Sequence, residues 1–222
     1  GFYEFTLEKV PLSVITRSWL LENVRSGSGR GFQTFKRAMD ILVSVVLLLV
    51  SLPLWPIISA AIKLESPGPV LFRQERLGKD RRRFTILKFR TMRVNGNNHT
   101  PTEKKDARVT ALGKLLRRTR LDEIPQALNI LKGEMSVVGP RPERPELAET
   151  LAREIPFYYE RNQVLPGITG WDQVCGEYHS PSSSDTYKKI QYDLYYIKNQ
   201  SVGLELKILL KTVRTMLLRE GR

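Results

Sequence analysis

From Ile41 to Ile62 the chain carries 22 consecutive residues without a charge, interrupted by Pro53 and Pro56. As one straight helix this run rises about 33 Å at 1.5 Å per residue, enough for the hydrocarbon core of a bilayer. Pro53 removes a backbone donor and clashes with the carbonyl four residues earlier, so a helix kinks or breaks there. Each half, residues 41–52 and 54–62, is then too short to span. Arg30, Lys36 and Arg37 precede the run; Lys63, Arg73, Arg76, Lys79 and Arg81 to Arg83 follow it. Positive charge favours the cytoplasmic side. A segment that enters, bends and returns keeps both clusters there, whereas a spanning helix exports one. The pattern predicts a re-entrant helix–break–helix anchor over residues 31–65, with Pro53 at the break. An ordinary transmembrane helix and a buried core helix are the competing readings.

Other segments alternate less clearly. Residues 1–30 mix aromatic and apolar positions without a clean period and end in Ser26-Gly-Ser-Gly29. They read as the tail of a preceding cytosolic region plus a flexible linker. Beyond the turn chemistry of Glu65-Ser-Pro-Gly-Pro69, short strands are predicted at 70–72 and 84–87, a hairpin around a basic loop. A polar loop follows at 95–105, then a basic helix from Leu112 to Arg120 and a second helix from Asp122 to Lys132, ended by Gly133. A short strand at 134–138 leads into Gly139-Pro-Arg-Pro142. A helix over 145–160, loops at 166–170 and 180–184, and an aromatic helix over 187–198 come next. Residues 203–219 form an amphipathic helix on which Leu206, Leu209, Leu210, Val213 and Leu217 share a face, suited to a membrane interface or to the core. The expected fold class is α+β, mainly helical with short β elements, on a monotopic membrane anchor. Residues 66–222 are the expected cytosolic domain.

Charge sharpens this picture. Lys and Arg total 36 against 23 Asp and Glu, a net +13, and ten basic against three acidic residues fall between Lys63 and Arg93. Such an excess asks for an anionic partner: nucleic acid, anionic headgroups or phosphorylated small molecules. The apolar anchor favours the last two, and nucleic acid is not expected. Cys175 is the only cysteine, so an intrachain disulfide is excluded and a reducing compartment fits. His99 and His179 stand alone without metal-ligand spacing and read as surface residues. Walker, zinc and dinucleotide patterns are absent.

Candidate chemistry centres on Asp122-Glu123 at a predicted helix start, where Asp is also an ordinary N-cap. Arg117, Arg118 and Arg120 crowd them, and free N–H groups at a helix start suit phosphate. Fixed positive charge keeps an aspartate ionised and nucleophilic, and carboxylates with phosphate oxygens are what Mg²⁺ takes. Arg141, held between two prolines, suits bidentate phosphate contacts. Lys88 and Arg90 alternate at strand spacing and face one side.

Phe35-Lys-Arg-Ala-Met-Asp40, Lys88-Phe-Arg-Thr-Met92, Leu121-Asp-Glu123, Leu131-Lys-Gly-Glu-Met-Ser-Val-Val-Gly-Pro-Arg-Pro142 and Leu165-Pro-Gly-Ile-Thr-Gly-Trp171 occur in order. Over about residues 32–220 the chain resembles the bacterial sugar transferases, monotopic polyprenyl-phosphate phosphoglycosyl transferases, and residues 1–25 look like the end of the domain preceding the core in longer members. The resemblance implies transfer of a sugar-1-phosphate from a UDP-sugar to polyprenyl (undecaprenyl) phosphate, initiating polysaccharide or glycoconjugate assembly. It implies Asp122 as nucleophile forming a phosphosugar–aspartyl intermediate, Glu123 as its acidic neighbour, and Mg²⁺ bound nearby by the pair. Lys88, Arg117 and Arg141 match positions at the family's active site, and Pro53 matches the proline of the re-entrant break. Leu52 stands where some members have a serine, leaving the bend to Pro53 and Pro56. The implied location is the cytoplasmic face of the bacterial inner membrane, in contact with its lipid; a homodimer is open, and the sugar is not specified, glucose or galactose being usual in longer members. A non-catalytic basic membrane module and a Mg²⁺-dependent phosphatase are the alternatives.

Overall fold

The computed structural model describes residues 8–11, 15–23, 29–94, 106–175 and 183–218. The expected linker at 26–29 except Gly29, the loop at 95–105 and both histidines lie outside them. As the pattern predicts, the fold is α+β and mainly helical with short strands.

After a short helix α1 (Arg17–Asn23), the apolar run is divided between α2 (Arg30–Ser51) and α3 (Leu54–Glu65), bent by 64° at Leu52 and Pro53. No single helix among the described residues is long and apolar enough to cross a membrane, but this bent pair qualifies by length and composition. Leu42, Leu49, Val50, Leu52, Ile57 and Leu64 are exposed, the last at 89%. The bend does not rest on the prolines alone, as the sequence suggested. Ser51, one residue before Leu52, donates its hydroxyl to the Leu48 carbonyl and accepts from Trp55 Nε1 at 3.2 Å, so a serine bridges the break after all.

The start of α2 behaves differently from its apolar half. Lys36 and Asp40, read from sequence as flank and motif, are buried. Lys36 Nζ donates to Glu205 at 2.6 Å and to the Val138 carbonyl at 3.0 Å, while Tyr196 bonds the same carboxylate and the same carbonyl. Arg37 donates to the carbonyls of Ile130 and Leu131. Asp40 accepts from Ser136 Oγ and Val137 N. Lys36 and Arg37 therefore bolt α2 to the core, and their charge no longer argues for membrane orientation.

Strands β1 (Leu71–Leu77) and β2 (Arg83–Phe89) pair antiparallel with Lys88 opposite Phe72, longer than expected. The hairpin's near end joins the bent helix pair: Arg90 N donates to Val70 O, and the Arg90 guanidinium donates to the carbonyls of Pro67 and Ser66. Gly68 adopts φ 121°, and a Cβ there would lie 2.2 Å from Arg90 Nη1, so only glycine fits this turn. Lys79 and Arg81 to Arg83 are exposed at the opposite end of the hairpin, about 20 Å along the strands. The sequence grouped these cations beside the anchor; the fold points them away from it.

The remaining elements are α4 (Ala111–Thr119), a 3-10 turn (Leu121–Glu123), α5 (Gln126–Lys132), β3 (Ser136–Val138), α6 (Pro145–Glu154), a second 3-10 segment (Tyr158–Gln163), β4 (Gly167–Thr169), α7 (Trp171–Cys175), α8 (Ser183–Lys198) and α9 (Val202–Leu218). The helix expected over 145–160 stops two residues before Pro156, and Phe157 turns the chain at φ 60°. The expected loop at 166–170 contains β4, parallel to β3. Glycine permits this: a Cβ on Gly139 would stand 2.4 Å from the Leu165 carbonyl.

Two apolar clusters result. The larger joins Val10, Ile15 and Leu20 to Val138, Trp171, Ile190, Leu194 and Ile208. The smaller places Ile58 and Ile62 of α3 against Phe89, Leu116 and Ile124. On α9, Glu205 and Ile208 face inward, while of the stripe read from sequence Leu206, Leu210 and Val213 are exposed and Leu209 packs against the larger cluster.

Candidate active site

The acidic pair sits between Leu121 and Ile124, which pack in the smaller cluster. Helix α4 ends at Arg120 in the left-handed region, φ 59°, and the chain turns at once into the 3-10 turn holding Asp122 and Glu123. Both are buried, at 7% and 6% exposure. The sequence cast Asp122 as the N-cap of one helix running to Lys132; the structure separates them. Pro125, without an N–H, is the cap of α5, and the amides of Glu123, Ile124, Ala127 and Leu128 are used in tight i+3 bonds. These amides are not free for phosphate, and the Asp122 side chain is not held as a cap.

Glu123 Oε1 accepts from Lys88 Nζ at 2.6 Å and from Arg141 Nη2 at 3.0 Å. Burial alone pushes this carboxyl up, but the two cations outweigh it and hold Glu123 well below the usual carboxylate range. Burial lowers Lys88, with Glu123 opposing, while Glu123 holds the charge on Arg141 more firmly. Asp122 differs: burial and then the Glu123 charge push it up, and Lys88, Arg117 and Arg141 pull it partly back. Its Oδ1 is buried and, among the described residues, has no hydrogen-bond partner; neither has the Nε2 of Gln126, one turn further on. A buried orphan oxygen beside a cation-neutralised carboxylate is a costly arrangement that substrate or metal binding would relieve.

Lys88 is positioned from β2, which Asn129 of α5 sews down by accepting from Leu87 N and donating to the Thr85 carbonyl. Arg117 donates to Thr91 Oγ1 at 2.9 Å and acts on Asp122 through its charge. Arg90 is the exception among the predicted phosphate ligands. It is 5% exposed, and the carbonyls just past α3 take its guanidinium, so it shapes the junction between α3 and β1 and does not join the acidic pair. The reason is the change of direction after Phe89, where β2 ends and strand alternation no longer applies. Sequence reasoning missed Asn129, Arg161, Lys36 and Asp40. The i,i+4 spacing of Lys36 and Asp40 was a signal for a shared face; Arg161 and Asn129 offered none.

Two buried carboxylates ringed by fixed cations make an arrangement suited to binding anions, on a fold with an exposed apolar helix pair. The chain belongs to the bacterial sugar transferase family, whose profile matches residues 32–219. It is 48% identical over 184 residues to a UDP-N-acetylgalactosamine-undecaprenyl-phosphate N-acetylgalactosaminephosphotransferase of Aeromonas hydrophila, covering 82% of this chain and 43% of the relative. It is 43% identical over 181 residues to a UDP-glucose:undecaprenyl-phosphate glucose-1-phosphate transferase of Escherichia coli K12, covering 80% and 39%. An exopolysaccharide production protein of Rhizobium leguminosarum is 41% identical over 192 residues, covering 83% and 96%. The chain thus spans about two-fifths of the length of the first two relatives.

Proposed function

We propose that this chain transfers a sugar-1-phosphate from a UDP-sugar to undecaprenyl phosphate through a phosphosugar–aspartyl intermediate on Asp122. The observation that carries this reading is the inequality within the pair: Glu123 is neutralised by Lys88 and Arg141, while Asp122 keeps an unpartnered buried oxygen. A carboxylate oxygen of Asp122 attacks the sugar-proximal phosphorus, the bond to the bridging oxygen breaks, and UMP leaves with that electron pair. A phosphate oxygen of the lipid then attacks the aspartyl phosphorus, and the Asp122 carboxylate leaves. An anion attacking a diphosphate is opposed by charge, and Lys88, Arg117 and Arg141 offset the opposition in a buried site.

The residues fit a divalent cation. No group of three or more His, Cys, Asp or Glu side chains gathers among the described residues, but Mg²⁺ commonly takes one or two carboxylates and completes its shell with phosphate oxygens and water. Asp122 Oδ1 is the available ligand, with Glu123 beside it, and bound Mg²⁺ would supply further neutralisation of the phosphate oxygens. The bent α2–α3 pair is read as a re-entrant anchor at the cytoplasmic face of the inner membrane. It seats the site where a soluble nucleotide sugar and a lipid phosphate meet.

The test is intact-mass measurement after brief exposure to UDP-N-acetylgalactosamine or UDP-glucose with Mg²⁺. Wild type gains a phosphosugar that maps to Asp122 and releases UMP; Asp122→Asn does neither. An adduct on another residue, or lipid product from Asp122→Asn, overturns the assignment.

A further inference from the structure

Arg141 reaches the acidic pair from a loop whose backbone is fixed at each residue. Gly139 N donates to the Thr169 carbonyl at 2.9 Å, and the Pro140 carbonyl accepts from Gly167 N at 3.0 Å. Pro140 and Pro142 lock their own φ, and Pro142 holds Arg141 in extended conformations. That leaves the Arg141 peptide plane to be set. Its carbonyl accepts from Arg161 Nη2 at 2.9 Å, and the next carbonyl, that of Pro142, accepts from Arg76 Nη1 at 3.1 Å.

Arg161 is 4% exposed, more buried than a guanidinium usually is. Its Nε donates to Asp193 Oδ2 at 2.9 Å, its Nη2 lies 2.8 Å from the same oxygen, and its Nη1 donates to the Tyr158 hydroxyl at 3.2 Å. Tyr158 and Asp193 are themselves 2% and 1% exposed. A buried ion pair is weak as a source of stability, since apolar replacements of similar volume are often neutral. A planar guanidinium fixed at its other edges is instead a rigid donor, able to hold one carbonyl in one orientation.

We infer that Arg161, clamped by Asp193 and Tyr158, is a positioning residue that sets the Arg141 peptide plane so that the Arg141 guanidinium meets the transferring phosphate. This rests on the reading that Arg141 acts on the phosphate of a UDP-sugar. Misplacing a group by about 1 Å can cost roughly a hundredfold in rate. Arg161 touches no reacting atom, so its removal should act on kcat and leave substrate binding largely intact.

The test uses the purified full chain, in detergent, with UDP-N-acetylgalactosamine or UDP-glucose and undecaprenyl phosphate. Arg161→Met alone leaves Asp193 buried without a partner and is expected to lower Tm. The double variant Arg161→Met, Asp193→Leu removes both charges and is expected within about 4 °C of wild type. Both should lose kcat by roughly tenfold or more with KM for the nucleotide sugar within about threefold, and Arg161→Lys should recover part of the loss. Wild-type kcat in the well-folded double variant, a change in KM alone, or a loss of activity that only tracks the unfolded fraction overturns the inference. Failure of the wild type to turn over either nucleotide sugar would strike at the proposed function instead, which keeps the two failures distinct.

Discussion

At Asp122 and Glu123, neighbours in sequence have opposite electrostatic situations. Glu123 is a buried carboxylate with two cations on one oxygen; Asp122 is a buried carboxyl whose Oδ1 has no hydrogen-bond partner among the described residues. The two conservative amides should therefore separate. Glu123→Gln leaves Lys88 and Arg141 buried without their counter-charge and should destabilise the chain by about 3 kcal/mol, with a strong loss of turnover. Asp122→Asn removes a carboxylate that burial and Glu123 already push toward neutrality, so stability should hold or rise by about 1 kcal/mol while adduct formation vanishes. Chemical denaturation of both variants in one detergent checks the pair. Equal destabilisation by the two amides would contradict the asymmetry. The acidic pair and Arg117 were legible as charge density around Leu121-Asp-Glu123, Arg141 from the prolines on either side of it, and Lys88 from its place in a predicted strand. Arg90 was misread because alternation along a strand was carried one residue beyond the strand's end.

At the scale of elements, the α2–α3 bend is a local device with a distal attachment. Pro53 supplies the break, Ser51 and Trp55 bridge it, and Lys36, Arg37 and Asp40 fix α2 to β3 and α5. This changes how the proposed anchor is probed. A cysteine at Lys36 would break a buried ion pair, so labelling there reports on folding. Gly31→Cys and Lys63→Cys, both at exposed positions and on a Cys175→Ser background, should each resist a membrane-impermeant reagent applied from outside. Labelling of one and not the other would mean a spanning helix. Replacing Pro53 and Pro56 together by alanine should move the segment toward spanning, because an uninterrupted apolar helix of that length matches the bilayer. The same attachment links the bent helix pair to the site: Asp40 grips β3, and β3 runs directly into the loop carrying Arg141.

Over the whole molecule, buried charge pairs join elements far apart in sequence. Glu143 bonds Lys189 of α8 and lies 3.7 Å from Arg76 of β1, while its backbone carbonyl accepts from Leu77 N. Burial pushes its carboxyl up, but Lys189 and Arg161 overcome this and bring it to about 2 from an ordinary 4.5. The fold thus favours the ionised form. Its contribution is complete above pH 4.5 and is lost as pH falls toward about 2. Wild type should accordingly exceed Glu143→Gln in stability at neutral pH, and the gap should close on acidification through that window. Melting curves of both proteins between pH 7 and pH 3 would show it; a gap independent of pH would exclude linkage through Glu143.

The sequence by itself determined what short-range physics controls. An uncharged run with Pro53 at its middle predicts a break there, since proline in a helix interior removes a donor and clashes with the preceding turn. Gly133 marked the end of α5 though not its start, the prolines marked the rigidity of Gly139-Pro-Arg-Pro142, and a dense set of motifs pointed to the family. Only the tertiary structure decided how each charge is used. Arg161 lies 32 residues from Asp193 and 20 from the Arg141 carbonyl; Lys36 lies 169 from Glu205. Whether a cation faces water, a carboxylate or a carbonyl depends on which elements pack together. Nothing in local pattern carries that information, because a buried charge is tolerated only where the fold brings it a partner.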